Sequence, residues 1–176
     1  MGLKDDVLEL DSRREIFLHI SRYPGCYMRE IQKALDMPTG QLEYHLNYME
    51  ERGLIAGELT GNKKRYYVDD EVNYPDRKIL GILRQDIPRK VILILLKKGE
   101  YGFTEIAEQF DVSKSTISFH LNKMKDRGII VSRKEGRRKI YSCKNEDEVA
   151  QVLITYKSSF LDDAVDRFVE TWSELR

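Results

Sequence analysis

The sequence has 176 residues, enough for one ordinary domain or two small ones, and its 30 Lys and Arg balance 30 Asp and Glu. A formal net charge of zero argues against a uniformly basic nucleic-acid-binding chain. Two cysteines, Cys26 and Cys143, are too few for a disulfide framework, which favours a reducing cytoplasm. The N-terminus lacks a signal-peptide pattern, and the longest apolar run, residues 91–96, is far shorter than the roughly 20 residues of a membrane span. We therefore expect a cytoplasmic protein with no membrane segment.

The charges are segregated along the chain. Residues 1–76 carry 10 Lys and Arg against 15 Asp and Glu, a formal charge of −5. Residues 77–144 carry 17 against 7, a charge of +10, and residues 145–176 carry 3 against 8, a charge of −5. A block of +10 attracts a polyanion, while the acidic flanks limit non-specific binding.

The first half of the chain predicts three helices and a β-hairpin. Ser12 and Glu15 form a capping-box pattern, which indicates a helix starting at Ser12 and ending near Arg22. Further apolar periodicity and the stops at Gly53 and Gly61 predict two more helices and a hairpin, at residues 27–35, 39–52 and 55–68.

The second half begins with an acidic, proline-containing stretch, residues 69–76, which is typical of a linker. A short helix is predicted at residues 77–84. Asp86 then caps a helix whose residues 91–96 are apolar on all sides, so this helix must be buried on more than one face. Thr104 caps a further helix that ends near Phe110.

The stretch from Ser113 to Tyr141 carries the strongest functional signal. Ser113 is a good N-cap and Gly128 a good C-terminal stop, which predicts a helix over residues 114–127. One face of this helix is a narrow apolar stripe. The remaining surface offers donors, acceptors and cations suited to base edges and phosphates, from Lys114, Ser115, Thr116, Phe119, Asn122 and Lys123. The aromatic Phe119 either contacts thymine methyl groups or packs under the hairpin that follows.

A basic hairpin follows this helix. Its first strand begins at Ile129, its turn lies at residues 135–136, and three cations begin the return, namely Arg137, Arg138 and Lys139. A solvated, charged turn is one interpretation. Because the surrounding block is strongly basic, we expect these three side chains to contact phosphates.

The same pattern occurs twice, at an offset of 75 residues, with His45-Leu46-Asn47 matching His120-Leu121-Asn122. In the first copy the equivalent candidate DNA contacts are Gln41, Tyr44, Asn47, Lys63, Lys64 and Arg65. Its helix also carries Glu43, Glu50 and Glu51, which repel phosphate. The first copy therefore either reads DNA weakly or acts as a protein-facing scaffold.

The segments MPTGQLEYHLNYMEERGLI and VSKSTISFHLNKMKDRGII, each followed by a charged hairpin, resemble winged helix-turn-helix modules of prokaryotic transcriptional regulators, in particular ArsR-like and related archaeal tandem winged-helix proteins. The resemblance implies a mainly α fold with small β-hairpins. It implies a winged-helix domain at residues 1–70, a linker and short helix at 71–85, and a second winged-helix domain at 86–144. Double-stranded DNA is the implied partner, with no cofactor.

Metal sensing is not implied. ArsR-like metal sensors carry a cysteine pair in the helix before the recognition helix, and here that helix reads REIQKALD in the first copy and TEIAEQFD in the second. We interpret His45 and His120 as partly buried structural residues or phosphate contacts, not as metal ligands.

Residues 146–175 contain no proline or glycine and predict one amphipathic helix, about 45 Å long. Its apolar stripe includes Tyr156, Phe160, Leu161, Phe168, Trp172 and Leu175. A winged helix does not need this element, so we expect residues 145–176 to form a homodimer contact. The alternative is that the helix folds back onto residues 91–96.

Together these features predict a DNA-binding transcriptional regulator that places a recognition helix in the major groove and a basic wing on the backbone. The alternative is a winged-helix protein–protein interaction module of a transcription or chromosome-organising assembly. The chain has no carboxylate pair at catalytic spacing, no glycine-rich phosphate loop and no nucleophile beside a base motif, so we do not expect an enzyme. No particular small-molecule effector is predicted.

Overall fold

The structure is a computed structural model that describes residues 10–160 and 162–174. Two compact units divide the chain, residues 1–77 and residues 78–176. Across the described ranges, no helix combines the length and the apolar character that crossing a membrane requires.

The first unit is a winged helix. Its elements are α1 (Asp11–Arg22), β1 (Cys26–Tyr27), α2 (Met28–Leu35), α3 (Thr39–Glu51), β2 (Ile55–Thr60) and β3 (Lys63–Val68). The three strands form an antiparallel sheet in the order β1-β3-β2. Its core is built from apolar residues at helical spacing and from the inner face of the sheet, among them Ile16, Ile20, Ile31, Leu42, Leu46, Met49 and Tyr66.

Two details of this unit differ from the sequence prediction. The helix α1 begins at Asp11 after Leu10, so Ser12 lies inside the helix and is not its N-cap. The second helix begins at Met28, one residue after the predicted start at Tyr27, because Tyr27 pairs with Arg65 in the sheet. The backbone N–H of Tyr27 donates to Glu30 Oε2 over 2.6 Å, and this contact fixes the start of α2.

The helix α4 (Tyr74–Leu83) follows. The boundary between the two units, after Arg77, falls within this helix. The helix begins inside the stretch predicted as a linker. Within the first unit, Arg77 holds this stretch in place: its Nε donates to the carbonyl of Val72 over 2.7 Å, and its guanidinium pairs with Glu58 at 3.2 Å and Asp69 at 3.4 Å.

The second unit repeats the same winged helix. Its elements are α5 (Asp86–Lys98), β4 (Glu100–Gly102), α6 (Phe103–Ala107), α7 (Lys114–Asp126), β5 (Ile130–Glu135) and β6 (Arg138–Cys143). The sheet order is β4-β6-β5, again antiparallel. Both bounds of α7, β5 and β6 lie 75 residues after those of α3, β2 and β3. The tandem fold predicted from the repeat is therefore confirmed.

Capping explains how the central helix of this unit starts and ends. Ser113 Oγ accepts the backbone N–H of Thr116 over 3.2 Å, as the sequence predicts. Gly128, with φ 70°, takes the left-handed conformation that lets the chain leave the helix. The helix α6 differs from its prediction: Gly102, and not Thr104, precedes it, and the Gly102 N–H donates to Glu105 Oε2 over 2.8 Å.

The C-terminal segment is not one helix. It forms α8 (Glu146–Thr155), a 3₁₀ turn (Lys157–Ser159) and α9 (Asp163–Glu174). Asp162 immediately precedes α9 and caps its start. Its carboxylate accepts the backbone N–H of Ala164 over 3.0 Å and a hydrogen bond from Arg89 over 2.7 Å. The predicted stripe residue Leu161 and the predicted helix end at Leu175 lie outside the described residues.

Candidate nucleic-acid interface

The helix α7 buries one stripe and exposes the opposite face. Ile117, Leu121 and Met124 are fully buried in the second unit. The predicted contact residues Lys114, Ser115, Phe119 and Asn122 are exposed, whereas Thr116 and Lys123 are half-buried. Phe119 is 62% exposed, so it projects outward and does not pack under the hairpin.

The first turn of α7 is organised by hydroxyl groups. Ser113 Oγ lies 2.8 Å from Ser115 Oγ and 2.8 Å from Thr116 Oγ1, in addition to accepting the Thr116 N–H. These short bonds fix the side chains at the N-terminal end of the helix. A hydroxyl can donate and accept at once, so Ser115 keeps capacity for an external partner.

Lys123 has a partner inside its own unit. Its Nζ donates to Gln85 Oε1 over 3.3 Å, and Gln85 is the residue that precedes α5. Lys123 is therefore half-buried and hydrogen-bonded, whereas Lys114, at the other end of the predicted contact face, is exposed.

The hairpin of β5 and β6 carries the predicted cations at its tip. Arg137 and Arg138 are exposed, and Lys139 is half-buried with its Nζ 5.4 Å from the centre of the Tyr141 ring. Arg138 Nη2 lies 3.3 Å from Glu105 Oε2, an ion pair in which both side chains are at least half exposed.

A groove of about 410 Å³ joins this tip to the helices. It is lined by the three cations and by Gly102, Phe103, Thr104, Ser118 and Tyr141. Ser118 and Thr104 were not predicted as contact residues. Ser118 lies three residues after Ser115, so helical spacing places the two on neighbouring parts of the same face. The groove is positively charged and bordered by hydroxyl groups, a combination suited to a phosphate oxygen.

Arg133 is a further cation in this hairpin, and it is already paired. Its guanidinium contacts both carboxylate oxygens of Glu100, with Nη2 to Oε2 at 3.0 Å. The contact ties β5 to β4 at the edge of the sheet. Charge counts along the sequence include Arg133, although in the structure this side chain is paired with Glu100.

The first unit presents a different surface at the equivalent positions. On α3, Gln41, Tyr44 and Asn47 are exposed as predicted, and Tyr44 at 59% exposure also projects away from the hairpin. Lys63 is exposed at the hairpin, with its Nζ 5.3 Å from the Tyr27 ring.

Arg65 and Lys64 were predicted to contact DNA, but both side chains have partners inside the first unit. Arg65 is 2% exposed, donates from Nη1 to the carbonyl of Gly25 over 2.8 Å and stacks 4.2 Å from the Tyr27 ring. The DNA contact assigned to it is wrong, because Arg65 is buried on the sheet face opposite the core residues Tyr66 and Val68 and its guanidinium is already bonded there. The equivalent Ile140 of the second unit is also buried. Lys64 Nζ is paired with Glu50 Oε2 at 2.5 Å.

The two equivalent histidines lie behind the exposed aromatic residues. His45 and His120 have buried Nδ1 atoms, and each ring packs edge-on against its neighbour, Tyr44 at 5.4 Å and Phe119 at 5.3 Å. Burial lowers the pKa of both imidazoles, and the nearby cations Arg13 and Lys123 respectively lower it further. Neutral imidazoles are therefore favoured at neutral pH. Within the described part of the chain, no three His, Cys, Asp or Glu side chains form a cluster that could hold a metal ion.

Comparison with known proteins assigns a family to each unit. Residues 88–132 match the family described as "Bacterial regulatory protein, arsR family", and residues 10–80 match an N-terminal HTH domain of the HVO_0163 type. HTH-type transcriptional regulator YgaV of Escherichia coli is 31% identical over 75 residues, which are 42% of this chain and 75% of that protein. The chain belongs to the ArsR-like helix-turn-helix transcriptional regulators.

A second relative of this ArsR-like regulator comes from an archaeon. Uncharacterized HTH-type transcriptional regulator MJ1398 of Methanocaldococcus jannaschii is 33% identical over 138 residues, 78% of this chain. The matched part is 34% of MJ1398, so the chain spans about a third of that relative's length. Among solved structures, HlyU from Vibrio cholerae N16961 aligns at 18% identity with a TM-score of 0.44, covering 50% of the ArsR-like regulator and 95% of HlyU.

Proposed function

We propose that this ArsR-like regulator is a cytoplasmic protein that recognises specific sequences in double-stranded DNA through its second unit. In this proposal α7 enters the major groove, where Ser115, Thr116, Phe119 and Asn122 contact base edges and Lys114 contacts a phosphate. Lys123 contacts a phosphate when its Nζ leaves Gln85 Oε1 and donates to a phosphate oxygen instead. The observation that carries the proposal is the exposed polar face of α7 beside an exposed basic hairpin tip.

The hairpin acts as the wing. Arg137, Arg138 and Lys139 line one positively charged groove with Ser118, so a phosphate seated there meets several donors. The block of residues 77–144, with its formal charge of +10, supplies the long-range attraction to DNA. Bound in this way, the regulator blocks or recruits the transcription machinery.

The first unit has a smaller role in DNA binding. Arg65 is buried, and Lys64 is paired with Glu50. On α3, the exposed Glu43 and Glu51 lie beside the face that corresponds to the recognition face of α7. This surface supports the second candidate function, a winged helix that faces another protein. We assign that role to the first unit alone, with Gln41, Tyr44, Asn47 and Lys63 as its exposed surface.

We also propose that residues 145–176 form a homodimer contact. Several apolar side chains of this segment remain half-buried within the unit, namely Tyr156, Phe168, Val169 and Trp172. A two-fold dimer would direct two copies of α7 to a pseudo-palindromic site, with half-sites about one helical turn or a multiple apart. If the intact chain sediments as a monomer at micromolar concentration, or a chain ending at Asn145 remains a full dimer, the dimer proposal is wrong.

Selection of bound sites from a random duplex pool tests the DNA proposal. We expect an enriched motif, and we expect Asn122→Ala to change the preferred base at one position at a cost of about 1–3 kcal/mol. The matched control is Asn47→Ala at the equivalent position of α3, which should leave the motif unchanged. Failure to enrich any motif, together with equal affinity for all duplexes, would contradict sequence-specific binding.

A further inference from the structure

A second groove, separate from the wing, lies between α5 and α9 in the second unit. It encloses about 410 Å³ and has an apolar lining formed by Leu93, Ile94, Leu96, Ala164, Phe168 and Trp172. Lys97, Arg167 and Thr171 complete the lining. Among these nine residues two are basic and none is acidic.

The groove is a built feature of the unit and not a gap between loose helices. Val91, Ile92 and Leu95 of α5 are fully buried, which leaves Leu93 and Ile94 on the groove side of the helix. Val165 is fully buried on α9. The Arg89–Asp162 hydrogen bond fixes the residue just before α9 to α5.

We infer that this groove binds a small amphipathic anion, an apolar chain or ring that carries one carboxylate or sulfonate group. Its volume lies within the roughly 300–1,000 Å³ of ligand pockets, and such pockets combine an apolar lining with a few polar groups. Lys97 and Arg167 are exposed, so they stand at the mouth of the groove, where they pair with the anionic end while the apolar part lies against Phe168 and Trp172.

Charge complementarity favours this occupant over the alternatives. A cationic ligand would meet two like charges and, among the described lining residues, no carboxylate. A second copy of the chain centred on this groove would bring the Lys97 and Arg167 of both copies together across the two-fold axis. A dimer contact through residues 145–176 must therefore be centred away from this groove.

The residues that line this groove are different from those proposed to contact DNA. The helix α5 lines the groove and also packs against α7. An occupant of the groove therefore contacts the helix that supports the recognition helix.

The chain carries its own probe for this inference, because Trp172 is the only tryptophan in the sequence and lines the groove. We would titrate the intact protein with decanoate, decanol and decylamine below their aggregation concentrations and follow tryptophan emission. The expected result is a saturable change with decanoate, a weaker response to decanol and no saturable response to decylamine.

Variants separate the charge from the apolar surface. Lys97→Gln and Arg167→Gln should each raise the dissociation constant for decanoate about threefold, as expected for exposed ion pairs. The matched control is Lys98→Gln, a neighbouring exposed lysine that does not line the groove, and it should leave the constant unchanged. Ala164→Phe should abolish binding by filling the space, with circular dichroism confirming the fold.

Four outcomes would overturn the inference. They are no saturable response to decanoate, an equal response to decylamine, an equal effect of Lys98→Gln and Lys97→Gln, and conversion of a dimer to a monomer by Ala164→Phe, which would make a second copy the occupant. Each is measured without DNA, so a failure of DNA binding is distinguishable from a failure of this site.

Discussion

Arg89 donates a hydrogen bond from Nε to the carboxylate of Asp162 over 2.7 Å, across 73 positions of the sequence. The same guanidinium contacts Asp86 at 2.6 Å and the carbonyl of Leu83 at 3.0 Å, and only 6% of the Arg89 side chain is exposed. One buried cation therefore connects the end of α4, the first turn of α5 and the start of α9.

We expect Asp162→Asn to lower the free energy of unfolding by about 2 kcal/mol, because it replaces a hydrogen-bonded carboxylate that is only 16% exposed beside a buried cation. Asp86→Asn is the matched control, since Asp86 pairs with the same arginine but is 79% exposed. Its cost should stay below about 1 kcal/mol. Urea unfolding of both variants at pH 7 measures the difference, and equal losses would show that burial of the pair does not matter.

This contribution should depend on pH. Burial alone would raise the pKa of Asp162, but hydrogen bonds from Arg89 and from the Ala164 N–H lower it below the ordinary value of 3.8. Because the folded-state pKa is the lower one, the stabilisation is present above pH 3.8 and is lost as pH falls through the folded-state value. The stability difference between wild type and Asp162→Asn should thus be constant from pH 5 to about 7 and shrink below about pH 4.

The wing should contribute affinity without sequence preference. For the double variant Arg137→Ala, Arg138→Ala, we expect weaker binding to every duplex and a log–log salt slope reduced by about one unit for each lost phosphate contact. Lys157→Ala, an exposed cation in the C-terminal segment, is the control and should keep the wild-type slope. Fluorescence anisotropy at several salt concentrations gives the slopes. An unchanged slope in the double variant would indicate that the tip is a solvated turn.

Glu105 should restrain one of these cations. Because its carboxylate pairs with Arg138 at 3.3 Å, Glu105→Gln should tighten DNA binding about threefold, the size of an exposed ion pair. The glutamine retains an oxygen that can accept the Gly102 N–H, so the start of α6 is preserved.

The repeat supplies the control for Glu105. Glu30 accepts the N–H of Tyr27 at the equivalent place in the first unit, and Glu30→Gln should leave DNA affinity unchanged. Anisotropy titrations at one fixed salt concentration compare the two variants. Weaker binding by Glu105→Gln would mean that the carboxylate orients Arg138 for DNA and does not compete for it.

Arg65→Ala should destabilise the first unit and leave DNA affinity unchanged. Removing the guanidinium loses the charge-assisted hydrogen bond to Gly25 and the stacking on Tyr27, at a cost of about 2 kcal/mol. Lys63→Ala, two positions earlier on the same strand and exposed, should cost less than about 0.5 kcal/mol. Thermal and urea unfolding measure stability, and an anisotropy titration measures affinity. A large loss of affinity with unchanged stability would restore the original assignment of Arg65 to DNA.

The repeated units could be predicted from the sequence because their signals are local. Ser113 and Gly128 act within one turn of α7, so the helix and its exposed face followed from residue type and helical spacing. The 75-residue repeat then predicted a second copy of the same fold, and α3 and α7 share their bounds in that register.

Tertiary structure decided what depends on distant partners. An arginine in a basic tip suggests exposure, but Arg65 is buried beside the ring of Tyr27, its neighbour across the sheet. The repeat already indicated burial, because the equivalent residue of the second copy is the apolar Ile140. Likewise, Asp162 caps the start of α9 locally by accepting the Ala164 N–H, but its bond with Arg89 forms only when the C-terminal segment packs on α5. Caps and periodicity act over a few residues, whereas strand facing and ion pairing are set by the folded chain.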